Sequence, residues 1–295
     1  MKRSRSGGCL HKARDITHMG KEVLDQARAL DAVEANWCAA WMTLGTIEEP
    51  PRSLVEDTSE WVRIITPEGP ELLLNNILRF HPAGPVTAQA VERAIAPYRR
   101  YHLPFQWWLT PNGNPPGLAG ELRRLGMYPW GTAKAMALPL QGWEPSANVC
   151  LHRQVTVRRV PLDDEEGRWR ALHVICTVFG VPHGPMGRWC SVNPRFHIYL
   201  AELDGQPAAA MALLLAGEVA GLYHVATLSA YRRQGIAARM IVQGLQEARE
   251  QGARLAVLTA TPEGEHLYKS LGYEPCGVIE QWTPGGSLLS KLYYG

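Results

Sequence analysis

The sequence predicts an α/β protein made of two similar units joined near residue 140. Three observations carry this. Strand-like and helix-like segments alternate along both halves. The stretch PLQGWEPSA, at 139–147, interrupts the alternation between two strand-like runs with two prolines, a glycine and a serine. The halves also share an order of strand, Pro/Gly turn, short helix and Leu-Gly, as FQWWLTPNGNPPGLAGELRRLGM in the first and LAVLTATPEGEHLYKSLGY in the second. With Leu125 set on Leu271, Thr110 and Thr259 fall three residues out of register, a gap that a turn insertion absorbs.

In the first half, apolar spacing over 20–42 predicts a helix, and 61–65 and 72–80 read as strands. Thr87 is placed to cap a helix reaching toward Tyr101, with Pro97 as a kink. A strand at 105–110, a short helix at 117–125 and a strand at 128–138 complete the unit. After the seam, 167–179 and 186–192 read as helical, followed by strands at 197–203, 208–215 and 221–228. Ile236, Met240, Leu245 and Ala248 then share one face of a helix that Gly252 can end with a left-handed cap. A strand at 255–259, a helix at 263–271 and a strand at 273–282 follow. The expected organisation is a frayed basic N-terminus at 1–15, a first unit at 16–140, a linker at 141–150 and a second unit at 151–295.

Composition narrows the function classes. With 295 residues, 46% hydrophobic and 20% charged, the chain can bury two cores without being disordered or membrane-like. No apolar run reaches the ~18 residues needed to span a bilayer, and no apolar segment follows the basic start, so a cytoplasmic protein without membrane contact is expected. The six cysteines are scattered, with no CxxC pair and no metal-ligand spacing, so reduced thiols and no metal are expected. A net charge of +2 gives no reason to expect nucleic acid.

The most informative residues are Arg232, Arg233, Gln234, Gly235, Ile236 and Ala237, between a strand and the long amphipathic helix. A helix N-terminus presents unpaired N–H groups and a positive dipole end, so such a junction can hold a pyrophosphate. Gly235 would let the backbone approach the anion, and small Ala237 keeps a side chain out of its way. An exposed, arginine-rich helix start would have the same composition.

RRQGIA matches the R/Q-x-x-G-x-G/A signature of the GNAT superfamily of acyl-CoA-dependent N-acyltransferases. LYHVATL, at 222–228, resembles that family's fourth strand, and HLYKSLGY, at 266–273, its last conserved segment. The resemblance is strong over 155–295 and reaches the first half only as a diverged copy. It implies two GNAT-like units in tandem, each a mixed, mostly antiparallel central sheet flanked by helices, with a degenerate first unit. It further implies transfer of an acetyl group from acetyl-CoA to an amine of a small molecule or peptide by direct attack. Backbone groups of Val225, Ala226 and Thr227 would meet the pantetheine. Amides of Arg233, Gln234, Gly235, Ile236, Ala237 and Ala238, beside Arg232, would hold the pyrophosphate.

The resemblance also makes Tyr268 the acid that protonates the departing thiolate, although a core aromatic would suit the same position. Thr261 stands where many relatives carry an asparagine contacting CoA. His224 is a candidate base with Glu218 as a second, and a structural histidine is the other reading of His224. Strict alternation would put His224, Ala226 and Leu228 on one face and Tyr223, Val225 and Thr227 on the other.

The first half has no such signature. Its nearest turn, His81-Pro82-Ala83-Gly84-Pro85, lacks two amides, and Leu122 falls where Tyr268 lies. It is expected to be catalytically silent, with Trp107 and Trp108 as candidates for shaping an acceptor cavity. A sensor or scaffold that binds acyl-CoA without turnover, or use of a longer acyl donor, fits the same motifs. Either a monomer or a homodimer is compatible with them.

Overall fold

The computed structural model describes residues 24–43, 53–69, 72–111, 115–181, 183 and 193–285. Within them are, in chain order, α1 (Gln26–Met42), β1 (Leu54–Asp57), β2 (Trp61–Ile65), β3 (Asn76–Phe80), α2 (Ala88–Arg100), β4 (Gln106–Leu109), α3 (Leu118–Arg124) and β5 (Met127–Pro139). The second half supplies β6 (Thr156–Val160), α4 (Glu165–Phe179), β7 (Phe196–Leu203), β8 (Gln206–Ala216), β9 (Val219–Thr227), α5 (Ile236–Glu250), β10 (Leu255–Ala260), α6 (Pro262–Ser270) and β11 (Glu274–Pro284). The basic start at 1–15 and the helix expected over 186–192 lie outside the described residues.

Local chemistry sets most boundaries. Asp25 caps α1 by accepting from the Ala27 and Arg28 amides, so the helix starts later than the apolar spacing suggested. Thr87 caps α2 through the Ala90 amide, as expected. Pro97 has no N–H for the Arg93 carbonyl, and the buried Arg63 guanidinium takes that carbonyl at 3.1 Å and Ala94's at 2.7 Å. The expected strand at 72–80 is shorter. Its first residues form a 3-10 turn, because the Asn75 side chain bonds the Thr66 amide at 2.8 Å and the Gly69 carbonyl at 2.9 Å. Edge strands β1 and β6, not anticipated, are only four and five residues long. In α5, Ile236, Met240, Leu245 and Ala248 are all buried, and Gly252 adopts φ +96° beyond its end.

All eleven strands form one sheet, in the order β1-β2-β3-β4-β11-β5-β10-β9-β8-β7-β6. The order has an internal symmetry about the β11–β5 pair. On one side β4 is parallel to β3 and antiparallel to β11; on the other, β10 is parallel to β9 and antiparallel to β5. Each half thus lends its last strand to the other. β5 lies between β10 and β11, and β11 lies between β4 and β5. The linker that follows β5 is pinned. Leu140 N–H bonds the Arg254 carbonyl, the Trp143 indole bonds the Leu271 carbonyl at 2.9 Å, and Arg249 bonds the Trp143 carbonyl.

One face of the sheet packs against α1 and α4, in a core that includes Leu30, Val33, Trp41, Ala171, Ile175, Tyr223 and Ala226. The opposite face carries two cores. Around α5 and α6 are Ile236, Met240, Leu258 and Tyr268; around α2 and α3 are Val91, Tyr98, Trp107 and Leu122. The symmetry fails at α1, which contacts β5, β11, β10, β9 and β8 and so lies across the join onto the second half.

Candidate functional site

The parallel pairing of β9 with β10 ends at Gly221, opposite Val257. Beyond it the two strands part, and β9 bulges. Ala212 pairs with Tyr223 and Ala210 with Ala226, which leaves His224 and Val225 opposite a single residue of β8, with His224 at φ +52°. The bulge breaks the expected alternation, because Tyr223 and Ala226 both enter the core beneath α1 and α4 while Val225 packs on the opposite face. The Leu228 N–H bonds the Ala208 carbonyl of the segment leading into β8. By alternation, the backbone groups of Val225 and Thr227 turn into the gap and those of Ala226 turn toward β8. The Thr227 carbonyl is taken at 3.0 Å by Arg232 Nε, which braces the turn that follows.

That turn brings the expected residues together. A 3-10 segment at Ser229–Tyr231 leads into Arg233 at φ +64° and Gly235 at φ +79°, and α5 begins with no side-chain cap. Among the described residues, no hydrogen bond is made by the amides of Arg233, Gly235, Ile236, Ala237 or Ala238, so these N–H groups are open. Alternating positive-φ residues ahead of an uncapped helix form a concave row of donors suited to an anion. Gly235 has a different reason from the one expected. A Cβ there would run into the Cys150 carbonyl of the linker, so the glycine admits the linker rather than the anion. Beside it lies a surface hollow of about 690 Å³, lined by residues that include Cys150, His152, Arg153 and Arg239.

Tyr268 is 9% exposed on α6, in the core that Val225 packs against, and its ring meets that of Tyr273 edge-on at 5.8 Å. Burial raises the Tyr268 phenol above its ordinary value, so it stays protonated through the neutral range. The Tyr273 hydroxyl is buried without a partner among the described residues. Thr261 caps α6, its hydroxyl accepting from the Gly264 amide at 3.4 Å, which gives that residue a structural task. The first half steadies this helix, since Lys134 of β5 meets Glu265 at 2.6 Å, and Lys269 meets the same carboxylate.

His224 sits at the bulge with its ring 6.2 Å from that of Phe179, at the end of α4. Burial pushes its pKa down to about 4, so the imidazole is neutral at pH 7 and has little driving force as a base. Glu218 lies at the other end of β9 and pairs with Arg254 at 2.9 Å, so it is not part of this site. Trp107 and Trp108 point to opposite faces. Trp107 belongs to the core around α2, whereas Trp108 faces α1, with its ring 4.6 Å from that of Trp37. From α1, Asn36 reaches the parting point of the strands. It donates to the Val219 carbonyl at 3.2 Å and accepts from the Tyr223 hydroxyl at 2.5 Å, and a Cβ on Gly221 would strike it. Nothing local in the sequence marks Asn36 or Trp37, whose neighbours here lie more than seventy positions away.

The family model for the acetyltransferase (GNAT) domain matches residues 194–275, which run from just before β7 to the start of β11 and include the bulge, the turn and Tyr268. This segment matches a GNAT acetyltransferase domain. A search of curated protein sequences finds no match. Among solved structures, the fold is shared with a GCN5-related N-acetyltransferase from Kribbella flavida, at 23% identity and a TM-score of 0.65 over 93% of this chain and 99% of that one. It is also shared with a GCN5-related N-acetyltransferase from Sphaerobacter thermophilus, at 16% identity and a TM-score of 0.58 over 86% and 92% of the two chains. A tandem GNAT protein from the clavulanic acid biosynthesis pathway gives 15% identity and a TM-score of 0.55 over 86% and 94%.

The first half has counterpart elements in the same order, with different residues at the matching positions. Its long helix α2 spends a first-turn amide on Thr87, where α5 has no cap. Leu122, fully buried on α3, stands where α6 carries Tyr268. Among the described residues, no cluster of His, Cys, Asp and Glu could hold a metal ion, and no helix is long and apolar enough to cross a membrane.

Proposed function

We propose that the protein transfers an acetyl group from acetyl-CoA to an amine, with one active unit at 151–295 and a degenerate tandem copy at 16–140. The observation that carries this reading is the uncapped, positively curved turn at 233–238, set beside the parted ends of β9 and β10 in a GNAT domain. Amides of that turn would hold the pyrophosphate, and Val225, through backbone turned into the gap, would pair with the pantetheine. Arg153 and Arg239, in the adjoining hollow, supply positive charge for a further phosphate. The amine attacks the thioester carbonyl, the C–S bond breaks, and the thiolate leaves beside Tyr268. A buried phenol is a weaker acid than the thiol it would form, so its contribution is chiefly a hydrogen bond to the developing thiolate. His224 is a neutral acceptor for an amine N–H rather than a strong base.

Thiol release from acetyl-CoA across an amine panel tests the reaction, and Tyr268→Phe tests the acid. That variant should bind CoA as the parent does and turn over about 100-fold more slowly. Equal turnover under conditions where chemistry limits the rate removes Tyr268 from the mechanism. Absence of thiol release with every amine of the panel, in a protein that binds acetyl-CoA, would leave an acyl-CoA sensor as the better reading.

His224 makes a separate prediction about pH. Its folded pKa of about 4 lies below the ordinary 6.5, so the unfolded chain binds more protons between those values. The stability it contributes is fully present above pH 6.5 and is lost as pH falls through 4, a change of about 3 kcal/mol. His224→Asn keeps a residue tolerant of φ > 0 and removes the titration. Urea midpoints at pH 7 and pH 4.5 should therefore fall further in the parent than in the variant. An equal fall in both would show that His224 is not held neutral.

A further inference from the structure

The linker between the halves is pinned at two points along α5. Near the end of that helix Arg249 Nη1 donates to the Trp143 carbonyl at 2.7 Å, and at its start the His152 N–H bonds the Gly235 carbonyl at 3.4 Å. The helix rises roughly 21 Å between Gly235 and Arg249, whereas the chain from Trp143 to His152 can reach roughly 30 Å when extended. The linker therefore has slack. Between it and the helix lies the hollow of about 690 Å³, whose wall comes from residues 145–153 of the linker and from Arg239 on α5. That linker wall lies outside the family match at 194–275.

The side chains of the hollow suit an anion. Among the described residues, neither Arg153 nor Arg239 makes an ion pair, and no carboxylate shares the wall with them. His152 adds a donor, because its Nδ1 accepts from the Val155 N–H at 3.1 Å and the neutral ring must then carry its hydrogen on Nε2. Pro145 and Val149 bring apolar surface for the face of a nucleobase, and the volume falls in the ~300–1,000 Å³ range of small-molecule sites. Placement supplies the identity of the ligand. Arg239 lies one helical turn past Gly235, roughly 6 Å along the axis, so a pyrophosphate over the open amides of the turn directs the nucleoside attached to it into the hollow.

We infer that the hollow takes the 3′-phosphorylated adenosine end of the acyl donor, with Arg153 of the linker and Arg239 of α5 closing on the 3′-phosphate. The linker thereby makes the protein select free acyl-CoA over an acyl group carried on protein-bound phosphopantetheine, which has no adenosine and no 3′-phosphate. This rests on the transferase reading and specifies its donor. Two guanidinium groups from separate elements fix the position of a phosphate as well as attract it, because each presents donors in a planar fork.

The test is calorimetry on the full chain with CoA and dephospho-CoA, which differ only in the 3′-phosphate. The parent should bind CoA roughly tenfold more tightly. In Arg153→Gln and Arg239→Gln, CoA affinity should fall further than dephospho-CoA affinity, so that the preference shrinks several-fold while unfolding midpoints hold. Equal affinity of the parent for the two ligands overturns the assignment. So does an equal loss for both ligands in the two folded variants, since the arginines would then act only as general positive charge. Cys150 gives a second readout, because it is exposed at the hollow while Cys38, Cys176 and Cys276 are buried. Adenosine 3′,5′-bisphosphate should slow alkylation of Cys150, read by peptide mass, and an unchanged rate under saturating CoA places the nucleotide elsewhere. Thiol release from acetyl-CoA separates the two levels. Selective binding and Cys150 protection without thiol release from any amine sink the transferase reading and keep the hollow, and equally efficient thiol release from acetyl-CoA and acetyl-dephospho-CoA does the reverse.

Discussion

Ala237→Glu is expected to weaken CoA binding about 100-fold while leaving the fold intact. Ala237 stands in the first turn of α5, just past Gly235, where a carboxylate favours the helix dipole and costs the fold nothing. The same carboxylate would sit where the turn at 233–238 presents its open amides, and like charges brought together at a binding site cost several kcal/mol. Ala237→Gln separates charge from bulk. It should lose much less affinity than the glutamate variant, and added salt should narrow the difference. An unchanged dissociation constant in a folded Ala237→Glu protein would remove the pyrophosphate from this turn. Gly235→Val would not be decisive, because its side chain would collide with the linker at Cys150 whether or not CoA binds there.

The second large effect concerns the halves. A fragment beginning at Asn148 contains every residue of the GNAT match but lacks β5. Without β5 the backbone edges of β10 and β11 face each other across an empty strand position, and Lys134 no longer steadies α6. Ala135, Met136, Ala137 and Leu138, all buried, are lost with it. The fragment should therefore show no cooperative unfolding and no CoA binding, and a second fragment ending in the linker, mixed in during refolding, should restore both. By contrast, one cut between Gln141 and Gly142 should leave the pieces associated through the same strands. A fragment from Asn148 that unfolds cooperatively and binds CoA would refute a shared sheet as the basis of folding.

Much of this was readable from the chain. The turn at Arg232–Ala237 could be singled out as the proposed anion site because a site built from backbone amides needs contiguous residues, and contiguity is what a sequence displays. Tyr268 followed from its spacing to Gly272 in the family resemblance, and the repeat was visible as Leu125 against Leu271, which end their helices in the same way. His224 was recognised as a candidate, but its weakness as a base depends on enclosure, which no local pattern reports. The bulge that carried Tyr223 onto the same face as Ala226 was missed because alternation assumes that each residue has one partner.

The chain by itself determined most of the elements, the helix ends at Thr87 and Gly252, and the Leu-Gly ends of the repeated short helices. These depend on neighbours within a few positions, where propensity and hydrogen bonding act directly. Only the tertiary structure decided that each half completes the other's sheet, that α1 crosses the join, and that Gly235 serves the linker. In each of these, the partner lies far along the chain or on the other half. What chooses it is burial of apolar surface and satisfaction of backbone hydrogen bonds summed over the whole sheet, a condition that no short segment contains.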